Sequence, residues 1–342
     1  MVEAAEGVLE AITSSWASQA IYVGVELRLF DLLAKQPLTA PQTSSALEAD
    51  PGKLEQLMSG LVTLGLLNLD GDIFTLSERG ELLCENHPSS LRNWTIWWCR
   101  YNWEAWSRLI DTVRTGRSAR EILAGAGYSL LAEDPEAARV FHRAMAELAT
   151  LSSQTLVDVV DFSNFEWIID VGGGDGQLLR MISERFSVNR LTLFELPEAL
   201  AEARRRSSAI ELISGDFFRS VPAGADCYIL KSVLHNWTEE KALNILHNLR
   251  TAMSPRSKLL IIERVLADMP TESAADRSNA RSDLHMAVAH GAGERSLTYF
   301  KELMADAALS IDSVVPLRHG LSLIQVNLQE SDCHAKPSPV LS

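Results

Sequence analysis

One stretch constrains the fold of this chain more than any other. Glu166-Trp167-Ile168-Ile169-Asp170-Val171 is largely apolar and leads directly into Gly172-Gly173-Gly174-Asp175-Gly176. A short apolar run bounded by glycines reads as a buried parallel strand. Glycines at 172, 173, 174 and 176 admit positive φ and let the backbone approach a ligand closely. Leu178, Leu179, Ile182 and Phe186 then recur at the spacing of a helix lying on a sheet. A strand, a glycine turn and a helix in this order form the place where an open α/β sheet binds a nucleotide-like ligand.

The dinucleotide fingerprint requires glycines at its first, third and sixth positions. Counted from Gly172 the sixth position is Gln177, so the turn departs from the nicotinamide pattern. A second apolar run, Leu191-Thr192-Leu193-Phe194, ends in Glu195, 23 residues beyond Gly172. A carboxylate at the end of the second strand can accept both hydroxyls of a ribose. The glycine turn alone would equally suit an ordinary tight loop; Glu195 tips the reading toward a nucleoside.

A chain of 342 residues has room for two domains. Its formal net charge of −14 argues against nucleic acid or an anionic membrane as a partner. Cys84, Cys99, Cys227 and Cys333 show no metal-ligand spacing and read as free thiols of a reducing cytosol. The acidic start Met1-Val2-Glu3-Ala4-Ala5-Glu6 is unlike a signal peptide, and no apolar run approaches a membrane span. A cytoplasmic location is expected.

Residues 4–34 read as an apolar helix on Val8, Ile12, Trp16, Ala20, Val23 and Leu27, continued by Leu29, Phe30, Leu32 and Leu33. Trp16, Ile21, Val23, Leu27 and Phe30 would leave a large apolar patch exposed, so a homodimer contact over 4–30 is expected. Residues 38–84 read as a winged helix, with helices opened by Pro41 and by Asp50-Pro51 and a hairpin turning at Asp70-Gly71. Residues 88–160 read as helical and hold Trp94, Trp97, Trp98, Tyr101, Trp103 and Trp106, six large aromatics within 13 residues. Some belong to a core; others suit the wall of a flat aromatic pocket. From 166 onward strand and helix alternate, with strands expected at 166–171, 190–194, 210–214, 225–230 and 258–263. A final hairpin, 309–316 with 321–328, turns at Arg318-His319-Gly320, and the tail from Gln329 is polar and reads as disordered. The expected domains are 1–160, helical and winged-helix, and 161–328, α/β, followed by the tail 329–342.

Three features follow the later strands. Ser214-Gly215-Asp216-Phe217 offers a carboxylate to an exocyclic amine and a ring to a base. The fourth strand leads through Lys231 to Ser232-Val233-Leu234-His235-Asn236-Trp237, and the fifth ends in Glu263. His235 is the best single candidate for a general base, since an imidazole is neutral and ready to accept a proton near pH 7. A lone histidine is more often a buried structural group; Glu263 at the neighbouring strand shifts the balance, because a carboxylate fixes the tautomer and stabilises the cation. Glu294 is a second such partner, with a solvated acid at a helix start as its plainer reading. Asp283, His285 and His290 lie close in sequence, but 285 is off the face shared by 283 and 290, which makes a weak metal set.

Together these residues resemble the class I S-adenosylmethionine-dependent O-methyltransferases of the caffeic-acid and hydroxyneurosporene type, over nearly the whole chain. The motifs that carry the resemblance are DVGGGDG at 170–176, FELPEA at 194–199, GDFF at 215–218, LKSVLHNW at 230–237, IIERVL at 261–266 and DLHM with GERS between 283 and 296. The resemblance implies an N-terminal helical and winged-helix dimerisation domain and a Rossmann-like α/β methyltransferase domain. It implies S-adenosylmethionine as cofactor, S-adenosylhomocysteine as product, no metal, and an aromatic small-molecule acceptor. By motif, Gly172, Gly173 and Gly174 face the methionine part of the cofactor, Glu195 the ribose, Gly215, Asp216 and Phe217 the adenine, and Lys231 the polar rim. His235 matches the catalytic base and Glu263 and Glu294 its flanking acids, Glu263 being the expected main orienting partner. Trp98, Met145, Met286, His290 and Asn236 fall to the acceptor pocket. Asn236 stands where the family usually has Asp, and position 290 where plant members have Asn. Two other readings stay open: N- or C-methylation or a non-methylating use of the bound cofactor, and a winged-helix regulator with a vestigial ligand domain.

Overall fold

The computed structural model describes residues 2–123, 134–197, 200, 203–204 and 210–329. The chain divides into two units, Met1–Leu151 and the residues from Ser152 onward. Glu198 and Ala199 of the FELPEA motif, Cys333 and the tail beyond Gln329 lie outside the described residues.

In the first unit the apolar N-terminal segment forms α1 (Val2–Glu26) and α2 (Leu29–Leu33), not one helix over 4–34. Arg28 adopts a left-handed φ of 58° and its guanidinium reaches Glu85 at 3.2 Å. The break lets Phe30 pack where Gly24 leaves room, since a Cβ at 24 would lie 2.8 Å from the ring. Leu29, Phe30 and Leu33 are thereby buried with Leu54, Met58 and Leu61. The apolar periodicity runs on through the break, which is why it does not reveal it.

α3 (Ala40–Leu47) starts at a capping box of Thr39 and Gln42. α4 (Pro51–Thr63) starts at Asp50, whose Oδ1 accepts the Lys53 N–H at 2.8 Å. The hairpin pairs β2 (Leu67–Asp70) with β3 (Ile73–Leu76), and its two loop residues are Gly71 and Asp72, with Gly71 supplying a φ of 62°. β1 (Leu38–Thr39), too short to leave a sequence pattern, adds a third strand on β3. Beyond the wing, short helices between Arg92 and Ile122 are interrupted by one π-helical turn, Trp97–Tyr101. Trp97 is core, its ring centroid 4.9 Å from that of Phe141, while Trp98 lies between Trp94 and Trp106 at 5.6 and 5.7 Å and Trp103 is 46% exposed. Glu147, on the long helix α5 (Pro135–Val157), accepts the N–H groups of Asn93 and Trp94 and so caps the Arg92–Ile96 helix from outside.

The second unit is built on β4 (Trp167–Val171), β5 (Arg190–Glu195), β6 (Glu211–Ser214), β7 (Cys227–Lys231), β8 (Lys258–Leu266), β10 (Leu309–Pro316) and β11 (Leu321–Leu328), in the spatial order β10-β11-β8-β7-β4-β5-β6. β4 to β8 are parallel, and the final hairpin joins antiparallel along β8. The strand order reverses between β4 and β7, which is the switch point of an open α/β sheet. β8 runs past Glu263 to Leu266, because the short β9 (Arg295–Ser296) pairs with Val265 and Leu266. Glu263 therefore lies inside the strand and not at its end.

Side chains alternate between the two sheet faces. Tyr228 and Leu230 of β7 face one core, with α7 (Glu239–Ala252) and α9 (Leu297–Asp306). Cys227 and Ile229 face the other, with α6 (Gln177–Arg185). α8 (Ala274–His290) completes the helices around the site. No helix among the described residues is long and apolar enough to cross a membrane.

The turn after β4 is tightly packed. A Cβ at Gly173 would lie 2.2 Å from Asp170 Oδ2 and 2.8 Å from Leu193 Cδ1. Gly173→Ala should cost about 1–3 kcal/mol through overpacking and lower the melting temperature by several degrees. An unchanged melt in differential scanning calorimetry would mean that the turn yields freely.

Candidate active site

Four strand ends bring the expected cofactor residues together. Gly172 and Gly174 take φ of 73° and 61°, and the Gly172 N–H donates to the Phe194 carbonyl at 2.9 Å. The Glu195 carboxylate accepts the Gly174 N–H at 3.1 Å and the Leu196 N–H at 2.8 Å, tying the second strand end to the glycine turn. Gly215 lies against Phe194, where a Cβ would be 2.3 Å from the ring. Asp216 accepts the Phe218 N–H at 2.9 Å, and a Cβ at Gly172 would come within 3.3 Å of the Phe217 ring. Lys231, at the end of β7, donates to Ser152 Oγ at 3.2 Å.

Asp170 belongs to the quoted motif, but the sequence reading gives it no role. It is fully buried and both its carboxylate oxygens lack a hydrogen-bond partner. Burial pushes its pKa up to about 7 despite the opposing Lys231 charge, and Glu195 and Asp175 add to the rise. Burial likewise lowers the Lys231 pKa, against Asp170, Glu263 and Asp175. A lone acid in an apolar strand was the available signal for this group.

On the other side of β7, His235 sits in a single 3₁₀ turn, Leu234–Asn236. Its Nδ1 lies 3.3 Å from Glu294 Oε2 and 3.5 Å from Glu263 Oε2, so Glu294 is the closer partner. Glu263 Oε1 accepts the N–H groups of Val233 at 3.0 Å, Leu234 at 2.8 Å and, more loosely, His235 at 3.4 Å. Glu263 thus orients the loop backbone as well as the ring. Glu294 Oε1 accepts from Ser282 Oγ at 2.8 Å, and the Glu294 N–H donates to Asp283 Oδ1 at 2.8 Å. That second bond commits Asp283 to the backbone. The carboxylate neighbours assign the ring proton to Nδ1 and leave Nε2 as the basic nitrogen.

Burial disfavours the imidazolium, but the carboxylates of Glu263 and Glu294 outweigh it and raise the His235 pKa. Burial raises Glu263; for Glu294 burial is overcome by hydrogen bonds from His235 and Ser282, which hold it low. One donor atom each from His235, Glu263 and Glu294 falls within 4.8 Å of the others, a set that could also ligate a cation.

The five expected acceptor residues divide between the units. Asn236 and His290 line one open cleft of about 510 Å³ with Trp237, Gly293, Glu294 and Tyr299. The Asn236 amide donates to the Ser232 carbonyl at 3.2 Å. Met286 is buried on α8. Met145 packs against the core of the first unit, to which Trp98 also belongs.

Residues 106–310 match the family model of the O-methyltransferase domain, and residues 9–86 that of the O-methyltransferase dimerisation domain. The chain belongs to the O-methyltransferase family. A phenazine O-methyltransferase from Lysobacter antibioticus is 33% identical, covering 93% of this chain and 94% of the relative. A mitomycin biosynthesis 6-O-methyltransferase from Streptomyces lavendulae is 31% identical over 93% of this chain and 92% of its own length. Among solved structures, an O-methyltransferase from neocarzinostatin biosynthesis, in complex with S-adenosylmethionine and 2-hydroxy-5-methyl naphthoic acid, superposes with a TM-score of 0.70. It is 28% identical, covering 91% of this chain and 95% of that one. The family resemblance carried by the motifs holds, and with it the enzyme class, an S-adenosylmethionine-dependent O-methyltransferase. The regulator reading falls away.

In this O-methyltransferase the His235 ring should titrate above the ordinary imidazole value of about 6.5. Glu294→Gln keeps an oxygen for the Nδ1 proton but removes a charge that favours the cation, so the titration should move to lower pH. NMR of the ring protons checks this; a midpoint that stays or rises would contradict the electrostatic account.

Proposed function

We propose that this O-methyltransferase methylates a phenolic hydroxyl on a flat aromatic molecule of secondary metabolism, with His235 as general base. The observation that carries the reading is an imidazole backed by two buried carboxylates, on the loop that follows the strand next to the glycine turn. The acceptor class draws on the relatives, whose names include a phenazine and whose solved complex holds a hydroxynaphthoic acid.

S-Adenosylmethionine supplies an electrophilic methyl group and leaves as S-adenosylhomocysteine. The residues present suit it: a side chain at 173 would collide with Asp170 and one at 172 would crowd Phe217 and Val233, and the buried Asp170 carboxyl beneath them lacks a donor. Gly172, Gly173 and Gly174 would hold the methionine part, Glu195 the ribose, Gly215, Asp216 and Phe217 the adenine, and Lys231 the polar rim. His235 Nε2 takes the acceptor proton while Nδ1 keeps its own against Glu294. A phenol of pKa near 10 is mostly protonated at pH 7, so removing the proton as the oxygen attacks contributes roughly 10²–10⁴-fold. Trp98, Met145, Met286, His290 and Asn236 are proposed to orient the acceptor ring. Residues 1–160 are proposed to supply dimerisation and part of that pocket, and 161–328 the cofactor site and the base.

Incubation with S-adenosylmethionine and a panel of phenols, hydroxyquinones and hydroxyphenazines, read by mass spectrometry for one added methyl group, tests the activity. His235→Ala should lower kcat on a weakly acidic phenol by roughly 10²–10⁴-fold and less on an acceptor already ionised. Near wild-type turnover on the weak acid would remove His235 from the mechanism.

The dimer interface is proposed to include one face of α1. Val8, Leu9, Ile12 and Trp16 are 60–73% exposed there, within or beside the region matching the dimerisation domain. Trp16→Glu should convert the protein to a monomer by light scattering at micromolar concentration; an unchanged dimer mass would move the interface elsewhere.

A further inference from the structure

The His235 loop is held from two sides. On the first side Glu263 collects backbone N–H groups. On the second, Arg295 Nη1 donates to the Leu234 carbonyl at 2.7 Å and Nη2 to the Trp237 carbonyl at 2.5 Å. Those two carbonyls bracket His235 and Asn236. The loop depends on outside support, because Ser232 at its start carries a φ of 56° and one 3₁₀ turn makes few bonds of its own.

Arg295 is itself held firmly. β9 pairs it with Val265 in parallel register, and its guanidinium lies 5.1 Å from the centre of the Tyr299 ring. The Tyr299 hydroxyl in turn donates to Glu239 at 3.1 Å. Two adjacent residues, Glu294 just before β9 and Arg295 as its first residue, therefore serve one histidine: Glu294 meets the ring, and Arg295 meets the backbone that carries it.

We infer that Arg295 is a positioning residue for His235. Its planar fork spans two carbonyls of the loop and keeps Nδ1 against Glu294 and Nε2 toward the acceptor. The inference rests on His235 being the base. Lysine would keep the positive charge and lose the fork, since an ammonium is a point donor without fixed bidentate geometry.

A double-mutant cycle of Arg295→Lys and His235→Ala tests it, on a weakly acidic phenol accepted by the wild type. Arg295→Lys should lower kcat by about 10- to 10²-fold, as a displaced catalytic group does, with S-adenosylmethionine affinity by calorimetry unchanged. In the His235→Ala background the same substitution should cost less than about 2-fold, because nothing remains for the fork to position. An equal loss in both backgrounds, or no loss in the wild type, overturns the inference. His235→Ala alone at near wild-type turnover overturns the base reading beneath it, and is seen before the cycle is closed. Should Arg295→Lys not fold, Tyr299→Leu removes the ring beneath the guanidinium and keeps both hydrogen bonds. It should give a smaller kcat loss that also disappears without His235, and a loss that persists there counts against the inference.

Discussion

Glu263 sits within β8 with its side chain 1% exposed. A carboxylate there loses hydration worth several kcal/mol unless the protein replaces it. The replacement is the His235 loop itself: N–H groups of Val233 and Leu234 meet one oxygen, and the His235 ring stands 3.5 Å from the other. The same contacts that make the buried charge tolerable fix the path of the loop. Charge burial and placement of the His235 ring are one interaction, so truncating Glu263 would strip the loop of its anchor and leave the donors of residues 233 and 234 unsatisfied.

The other side of the switch point works by absence of side chains. At Gly173 a methyl group would run into Asp170, and at Gly172 it would meet Phe217 and Val233 within 3.3 Å. The turn can therefore close over Asp170 and expose only backbone above it. Asp170 and Lys231 are each pushed toward neutrality by burial, from opposite directions. A cation brought to the turn would find a carboxyl whose pKa of about 7 lets it ionise at little cost.

The strands of the second unit were legible because buried strands are apolar runs bounded by glycines or acids, and that pattern survives without knowledge of partners. The glycine turn and Glu195 were legible from spacing. The break at Arg28 was not, since apolar periodicity continues through it and the decisive feature is the space that Gly24 leaves for Phe30. Glu294 was legible as a second partner of His235, but not as the closer one: that depends on the two-residue pairing of β9 with β8, too short for any pattern. Arg295 stood in the quoted GERS motif, but its use on the Leu234 and Trp237 carbonyls is a matter of tertiary geometry alone.

The C-terminal hairpin has a consequence for how this protein can change. By pairing with Leu259–Arg264, β11 makes β8 an interior strand, bonded to β7 on its other side. The backbone beneath Glu263 is thus locked from both flanks, and its amides should be among the slowest to exchange with solvent. Met286, His290 and Gly293, by contrast, belong to the end of α8 and the loop after it. Mutation can reshape that periphery while the floor under the imidazole stays rigid, so the cleft beside Asn236 and His290 can change its shape without disturbing the backbone that carries the His235 ring.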